Sequence, residues 1–333
     1  GGEGTVQSLV DATGGTFIEK EVTGPLGTPV KAVYGILGDG KTAVIEMAQA
    51  SGIQYVTKET KNPLITTTFG TGELIRDCMD KGITDIILGI GGSATNDGGS
   101  GMAAALGYQF LDQDGNRLPQ GGGALGKLAT IDTSRVHPKL KDVKIIVASD
   151  VTNPLCGEKG ASRVFGPQKG ATPEMVEILD ENLRHYAEVI KTQLGKDVLD
   201  VPGAGAAGGL GAGLLAFTNS TMKKGIEIVI EYTNLKEKLQ KADYCFTGEG
   251  GIDFQTKFGK TPYGVAKLAK RVNPEMKVIA LAGHIGKDVE VLYEEGFDAI
   301  FGIVPGAAEL ETLLKQGREN VTRTAESVAR LLR

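Results

Sequence analysis

Residues 83–106 read ITDIILGIGGSATNDGGSGMAAAL, and this stretch decides the fold. Ile86, Ile87, Leu88 and Ile90 form a short, nearly continuous apolar run, as expected of a strand buried on both faces. The run ends in Gly91-Gly92-Ser93-Ala94-Thr95-Asn96-Asp97-Gly98-Gly99. Met102 to Leu106 then open a helix. A strand, a glycine-rich turn and a helix start together make an anion cradle. Glycines let the backbone approach closely, and free N–H groups at a helix start attract negative charge. Asp97 is the odd member, because a carboxylate alone would repel phosphate. It reads as a group that holds a metal ion or steers an incoming hydroxyl, or else as the cap of a tight strand-to-helix turn.

On the N-terminal side, Val6, Leu9 and Val10 have helical spacing, stopped by Gly14-Gly15. Val30 to Leu37 and Thr42 to Met47 read as two strands around Gly38-Asp39-Gly40, and Asp-Gly is a strong hairpin signal. Gly35 to Thr42 matches the P-loop string GxxxxGK[ST], but a P-loop needs a helix after its Lys-Thr, and Thr42-Ala43-Val44-Ile45 is strand-like. An amphipathic helix through Leu74, Ile75, Cys78 and Met79 precedes the central strand and closes at Gly82.

On the C-terminal side, Phe110 to Leu118 carries a second hairpin signal, Asp114-Gly115. Val143 to Ala148 is another apolar strand, ending in Ser149-Asp150-Val151-Thr152-Asn153-Pro154. Sheets of this class bind ligands outside the carboxyl ends of their strands, so Asp150 is placed for chemistry or for capping the turn before Pro154. Thr172 caps a helix that begins at Pro173. Gly203-Ala204-Gly205-Ala206-Ala207-Gly208 fits GxGxxG, but Asp197 to Val201 makes a poor strand ahead of it. A close-packed or anion-gripping helix start is the better reading than a dinucleotide site. From Ala242 strands and helices alternate: strands at Tyr244 to Phe246, Lys277 to Leu281 and Ala299 to Val304, helices at Gly264 to Val272, Val289 to Glu295 and from Leu310. That is a parallel, Rossmann-like pattern. Glu249, Asp253 and Lys260 share one loop at the end of its first strand.

The chain has 333 residues, 41% of them hydrophobic, which suits two domains with real cores. A net charge of −5 without a basic block, no Trp and 5% aromatics argue against nucleic acid or an anionic membrane as partner. Cys78, Cys156 and Cys245 are scattered, so neither a disulfide framework nor a thiolate metal site is expected, and a reducing cytosol fits. No apolar run approaches membrane-spanning length. Gly is 49 of 333 residues, roughly twice the usual share of about 7%. It clusters at strand ends, where it serves ligand-contacting turns.

Several blocks taken together resemble one family. They are Gly1 to Thr5, the hairpin before Ala48 to Gly52, TTFGTGE at 67–73, GIGGSATNDGG at 89–99, Ser149 to Pro154, FGPQKGAT at 165–172, PGAGAAGGL at 202–210, and Thr247 to Lys260. In this order they look like the bacterial class I glycerate kinases, end to end. The resemblance implies ATP-dependent phosphorylation of D-glycerate, giving 2-phosphoglycerate in most members. It also implies an α/β fold of two domains. One is Rossmann-like, with a parallel sheet formed by both chain ends (1–19 and 242–333); the other is a mixed α/β domain inserted between them (20–241). The family carries a strand and an Asp-Ser-Phe-Lys-Gly-type loop ahead of the Gly-Gly-Glu-Gly block. The sequence here opens at Gly1, so the expectation is a Rossmann-like domain without that strand and a site without that lysine.

Phosphoryl transfer needs charge neutralisation, in-line placement and an acceptor for the hydroxyl proton. The expected catalytic residues are Asp97, Asp150 and Lys260. Asp97 or Asp150 would orient or deprotonate the substrate hydroxyl, and Lys260 would stabilise the moving phosphoryl group or the glycerate carboxylate. Gly91, Gly92, Ser93, Thr95, Asn96, Gly98, Asn153, Lys169, Gly205, Gly208, Gly209 and Gly248 are the expected substrate- and phosphate-binding set. Glu249 and Asp253 are expected to hold Mg²⁺, a hard ion that prefers oxygen. A cleft between the domains would take MgATP and glycerate. The partners are these small molecules, with no nucleic acid and no membrane, and the sequence leaves oligomeric state open, a homodimer included. The rival readings are an NAD-dependent hydroxy-acid dehydrogenase using Gly203 to Gly208, and a non-catalytic sugar-acid binding protein.

Overall fold

The structure is a computed structural model that describes residues 4–332. Contacts divide it into two units between Gly225 and Ile226. In chain order the first unit comprises α1 (Thr5–Thr13), β1 (Thr16–Thr23), β2 (Pro29–Ile36), β3 (Thr42–Glu46), α2 (Ala48–Ser51), α3 (Phe69–Asp80), β4 (Asp85–Gly89), α4 (Ser100–Ala105), β5 (Gln109–Leu111), β6 (Thr130–Asp132), β7 (Lys144–Ala148), α5 (Ala161–Phe165), α6 (Pro173–Leu194), α7 (Ala206–Phe217) and β8 (Ser220–Lys223).

Its main sheet runs β1-β2-β3-β4-β7-β8. The strand that opened the sequence reading, β4, lies inside it, parallel to β3 on one side and to β7 on the other. Ile86, Ile87 and Leu88 are all buried, as a strand covered on both faces requires. β1, β2 and β3 pair antiparallel. The P-loop-like string is the β2–β3 hairpin. Asp39 closes it by accepting from Lys41 N, Thr42 N and Thr42 Oγ1, so no helix follows the Lys-Thr pair. Thr172 caps α6 as expected, accepting from Met175 N at 3.3 Å, and left-handed Gly195 ends the helix.

The expectation that residues 1–19 join the Rossmann-like domain differs from what the described part shows. The apolar stripe of α1 is buried on β2 and β3. Val10 leaves no room for a side chain on Gly35, and Val6 N donates to Glu46 Oε1 at 3.1 Å. Residues 16–23, which follow α1, pair along their whole length with β2. Gly1 to Glu3 lie outside the described residues.

The second unit begins near Ile226, earlier than the pattern boundary at 241/242. The cause is α8 (Gly225–Tyr232) and α9 (Leu235–Leu239), two short helices not read from the sequence. After them come β9 (Tyr244–Ile252), α10 (Thr261–Val272), β10 (Lys277–Ile285), β11 (Ala299–Gly302), α11 (Leu310–Lys315) and α12 (Gly317–Leu331). The three strands are parallel in the order β11-β10-β9. The fold class is therefore mixed α/β with parallel strands in both units, as expected. Two local readings change. The glycine-rich Thr247 to Gly251 is not a loop but the continuation of β9, because β10 pairs with it through Leu281↔Gly248 and Ile285↔Ile252. The helix read at Val289 to Glu295 is a 3-10 turn over Val289–Leu292. Among the described residues no helix is long and apolar enough to cross a membrane, and the three cysteines are free and buried.

Candidate active site in the first unit

β4 and β7 are parallel neighbours, so the chain leaves both at the same edge of the sheet. Gly91-Gly92-Ser93 follows one and Ser149-Asp150 the other. Together they line a cavity of about 440 Å³ with Lys169, Gln168, Phe165, Ile53, Ala206 and Ala207. Gly92 is left-handed, with φ +75°, and its carbonyl accepts from Ile53 N at 2.8 Å. This holds the glycine loop open toward the cavity.

Lys169 is the distinctive group. It ends the short turn Pro167–Lys169 and is only 2% exposed. Its Nζ donates to Ser93 Oγ at 2.7 Å and to Thr95 O at 2.6 Å. Among the described residues no carboxylate pairs with it. Burial therefore pushes its ammonium down to about 7, with the Asp97 charge pulling the other way. A buried cation without an ion-paired carboxylate, in the wall of a cavity, is suited to receive an anion. Asp150 lines the same cavity but is exposed, and its Oδ1 accepts from Gly225 N at 3.1 Å.

Asp97 does not line this cavity. It is fully buried, and its carboxylate accepts from Thr68 N, Thr68 Oγ1 and Gly101 N through Oδ2 and from Gly99 N through Oδ1. Burial raises its pKa against these donors. Of the two sequence readings, the geometry matches the cap: Asp97 ties the loop to the starts of α3 and α4, and the expected contact with substrate is not made by this side chain.

Thr95, Asn96 and Gly98 form the same buried wall. Thr95 reaches Lys169 through its carbonyl. Asn96 Nδ2 donates to Ser162 Oγ at 3.0 Å, and Gly98 packs on the Tyr186 ring. Gly205, Gly208 and Gly209 are packing glycines. A side chain on Gly208 would collide with the Thr95 carbonyl, on Gly205 with the Pro154 carbonyl, and on Gly209 with Gly98. Gly208 and Gly209 are left-handed, and Gly208 O accepts from Gly98 N at 3.0 Å. No strand precedes this segment, which removes the structural context a dinucleotide site needs. Asn153 anchors the segment by accepting from Gly203 N and Gly205 N.

Gly248, Glu249, Asp253 and Lys260 belong to the second unit. Gly248 and Glu249 line a separate cavity of about 1070 Å³ beside His284 and the apolar Leu310, Leu314 and Val321. Lys260 Nζ lies 3.7 Å from Glu249 Oε2, and that oxygen has no hydrogen-bond partner. Asp253 caps the turn Phe254–Phe258 in a capping box with Thr256. Among the described residues no group of three or more His, Cys, Asp or Glu converges as a metal site. The expected Glu249–Asp253 pair is therefore not a preformed cage, and of the two only Glu249 has an uncommitted oxygen in a cavity.

The sequence reading missed Ile53, Phe165, Gln168 and Ala207 in the first cavity. Phe165 and Gln168 sit in the FGPQKGAT block, from which only Lys169 was chosen. Ala207 is left-handed at φ 53°, a conformation that costs a non-glycine residue about 1–2 kcal/mol. Ile53 carries no sequence signal.

Comparison with known proteins gives the family. The profile of the Glycerate kinase family matches residues 1–333. A glycerate kinase from Bacillus subtilis (strain 168) is 54% identical over 99% of this chain and 86% of its own length. A glycerate 2-kinase from Escherichia coli (strain K12) is 51% identical over 100% of this chain and 87% of its own. A crystal structure provisionally assigned as glycerate kinase 2 from Salmonella typhimurium LT2 superposes with a TM-score of 0.90 at 52% identity, covering 99% of this chain and 86% of that one. With its whole length matched in this way, the chain belongs to the glycerate kinase family.

Proposed function

We propose that this chain transfers the γ-phosphoryl group of ATP to D-glycerate, giving 2-phosphoglycerate and ADP, in the cytosol. The observation that carries the reading is Lys169, a buried ammonium lacking a carboxylate partner in a cavity that also presents Gly91, Gly92 and Asp150. The names borne by the relatives support the same acceptor and, for one of them, the same position.

In this reading the glycerate carboxylate supplies the counter-ion that Lys169 lacks, with the Ser93 hydroxyl beside it. Asp150 accepts the proton of the 2-hydroxyl as that oxygen attacks the γ-phosphorus and the bond to the bridging β,γ-oxygen breaks. The backbone N–H groups of Gly91 and Gly92 stabilise charge on the moving group, where fixed donors act without reorganising. In the second unit Glu249 is the carboxylate that would hold Mg²⁺, a hard ion that would neutralise phosphate charge when bound, and Lys260, 3.7 Å from it, would add a cation there.

The test is a coupled ADP-release assay with D-glycerate, followed by phosphorus NMR of the product. Glycerate-dependent ADP release and a 2-phosphoglycerate signal are expected. No glycerate-dependent release would overturn the activity, and a 3-phosphoglycerate signal would overturn the position.

A further inference from the structure

The first unit holds a second cavity, of about 350 Å³, that shares no lining residue with the glycine-loop cavity. Three arginines line it, Arg76 on α3, Arg117 after β5 and Arg135 after β6. No Asp or Glu is in its lining, in a chain whose net charge is −5. Among the described residues none of the three arginines has an ion-pair partner.

The three arginines are exposed at the cavity rim, and Arg117 stands on a rigid support. Arg117 donates from Nε and Nη2 to Gln109 Oε1, at 3.0 and 2.6 Å. Gln109 is in turn fixed by donating to Asp132 Oδ2 at 2.7 Å. Asp132, the acid nearest in sequence to Arg135, is also committed to Ser134 N and Ser134 Oγ. The Arg135 carbonyl lies so close to Gly107 that only glycine fits there. Gln120 Oε1 accepts from Thr67 Oγ1 at 2.7 Å, which leaves its amide N–H groups to donate. Phe69 and Phe110 add aromatic surface.

Arginines without an ion-pair contact among the described residues, beside a polar amide and an aromatic wall, are the chemistry of organic phosphate recognition. We infer that this cavity is a second anion site, which takes a small phosphate monoester and is separate from the catalytic one. An occupant would touch α3 and α4, the two helices whose starts Asp97 ties together. The inference does not depend on the kinase reading.

It is tested by isothermal titration of phenyl phosphate, and of inorganic phosphate, at fixed ionic strength. The proteins are the wild type, Lys169→Met, and Arg117→Gln combined with Arg135→Gln. Both variants are checked for fold by circular dichroism. Saturable binding should persist in Lys169→Met and weaken by at least about tenfold in the double arginine variant, the loss expected for removing charge-assisted bonds. No saturable binding would overturn the inference. So would binding unchanged by the arginine substitutions, or binding abolished in Lys169→Met.

Discussion

Thr68 gives both its backbone N–H and its hydroxyl to one oxygen of Asp97, each at 2.8 Å. The same hydroxyl accepts from Met102 N at 2.9 Å, so one threonine and one aspartate join the starts of α3 and α4 beneath the glycine loop. An amide in place of the carboxylate would turn an NH₂ toward groups that are themselves donors. Asp97→Asn should therefore lower stability by about 2–4 kcal/mol, seen as a lower Tm, with activity falling in step. A Tm equal to wild type with turnover lost would instead make Asp97 a catalytic group.

Lys169→Met removes a buried charge that has hydrogen-bond partners but, among the described residues, no carboxylate partner. The substrate-free variant should be more stable than wild type near neutral pH, by about 1 kcal/mol or more, measured as Tm without ligand. A lower Tm would mean that Lys169 is a structural cation.

The pH dependence follows from the same residue. In the unfolded chain the Lys169 ammonium keeps its proton to its ordinary value of 10.5, whereas in the fold it loses it above about 7. Between those limits the unfolded state binds more protons, so this group makes stability rise with pH. Thermal melts from pH 7 to 10 should show that rise as a difference between wild type and Lys169→Met. Affinity for D-glycerate should move the other way, KM increasing above about pH 7 as the anion's partner is neutralised.

Gly208→Ala should cost at least about 2 kcal/mol, because a left-handed alanine is strained and its Cβ meets the Thr95 carbonyl. Denaturant unfolding measures it. A neutral effect would show that the segment 203–209 can move off the loop.

Asp150 is exposed and an asparagine keeps the oxygen that accepts from Gly225 N, so Asp150→Asn should leave Tm near wild type. It should lower kcat by about 10²–10⁴-fold, the range for losing a general base. Unchanged kcat would exclude Asp150 as the proton acceptor.

Much of this was legible before the structure. The β4 run, the Asp39 hairpin and the Thr172 cap are set by local chemistry within a few residues, and each stands where the spacing puts it. The grouping of Gly91 to Ser93 with Asp150 was readable because parallel strands bring their carboxyl ends to one edge. What could not be read was which side of a loop faces the cavity. Asp97 and Ser93 are four residues apart in one glycine-rich turn, yet only Ser93 lines the cavity, and that depends on distant partners such as Thr68 and Ile53. Likewise Thr247 to Gly251 looks like a loop by composition, and only the neighbouring β10 draws it into a strand.

The central claim is that Lys169 receives the carboxylate of the acceptor. The most direct measurement is kcat/KM for D-glycerate, by ADP release, in wild type and in Lys169→Met shown to be folded. The account predicts a loss of at least about a hundredfold, as expected when a charged substrate group loses its buried partner. An unchanged kcat/KM would contradict it.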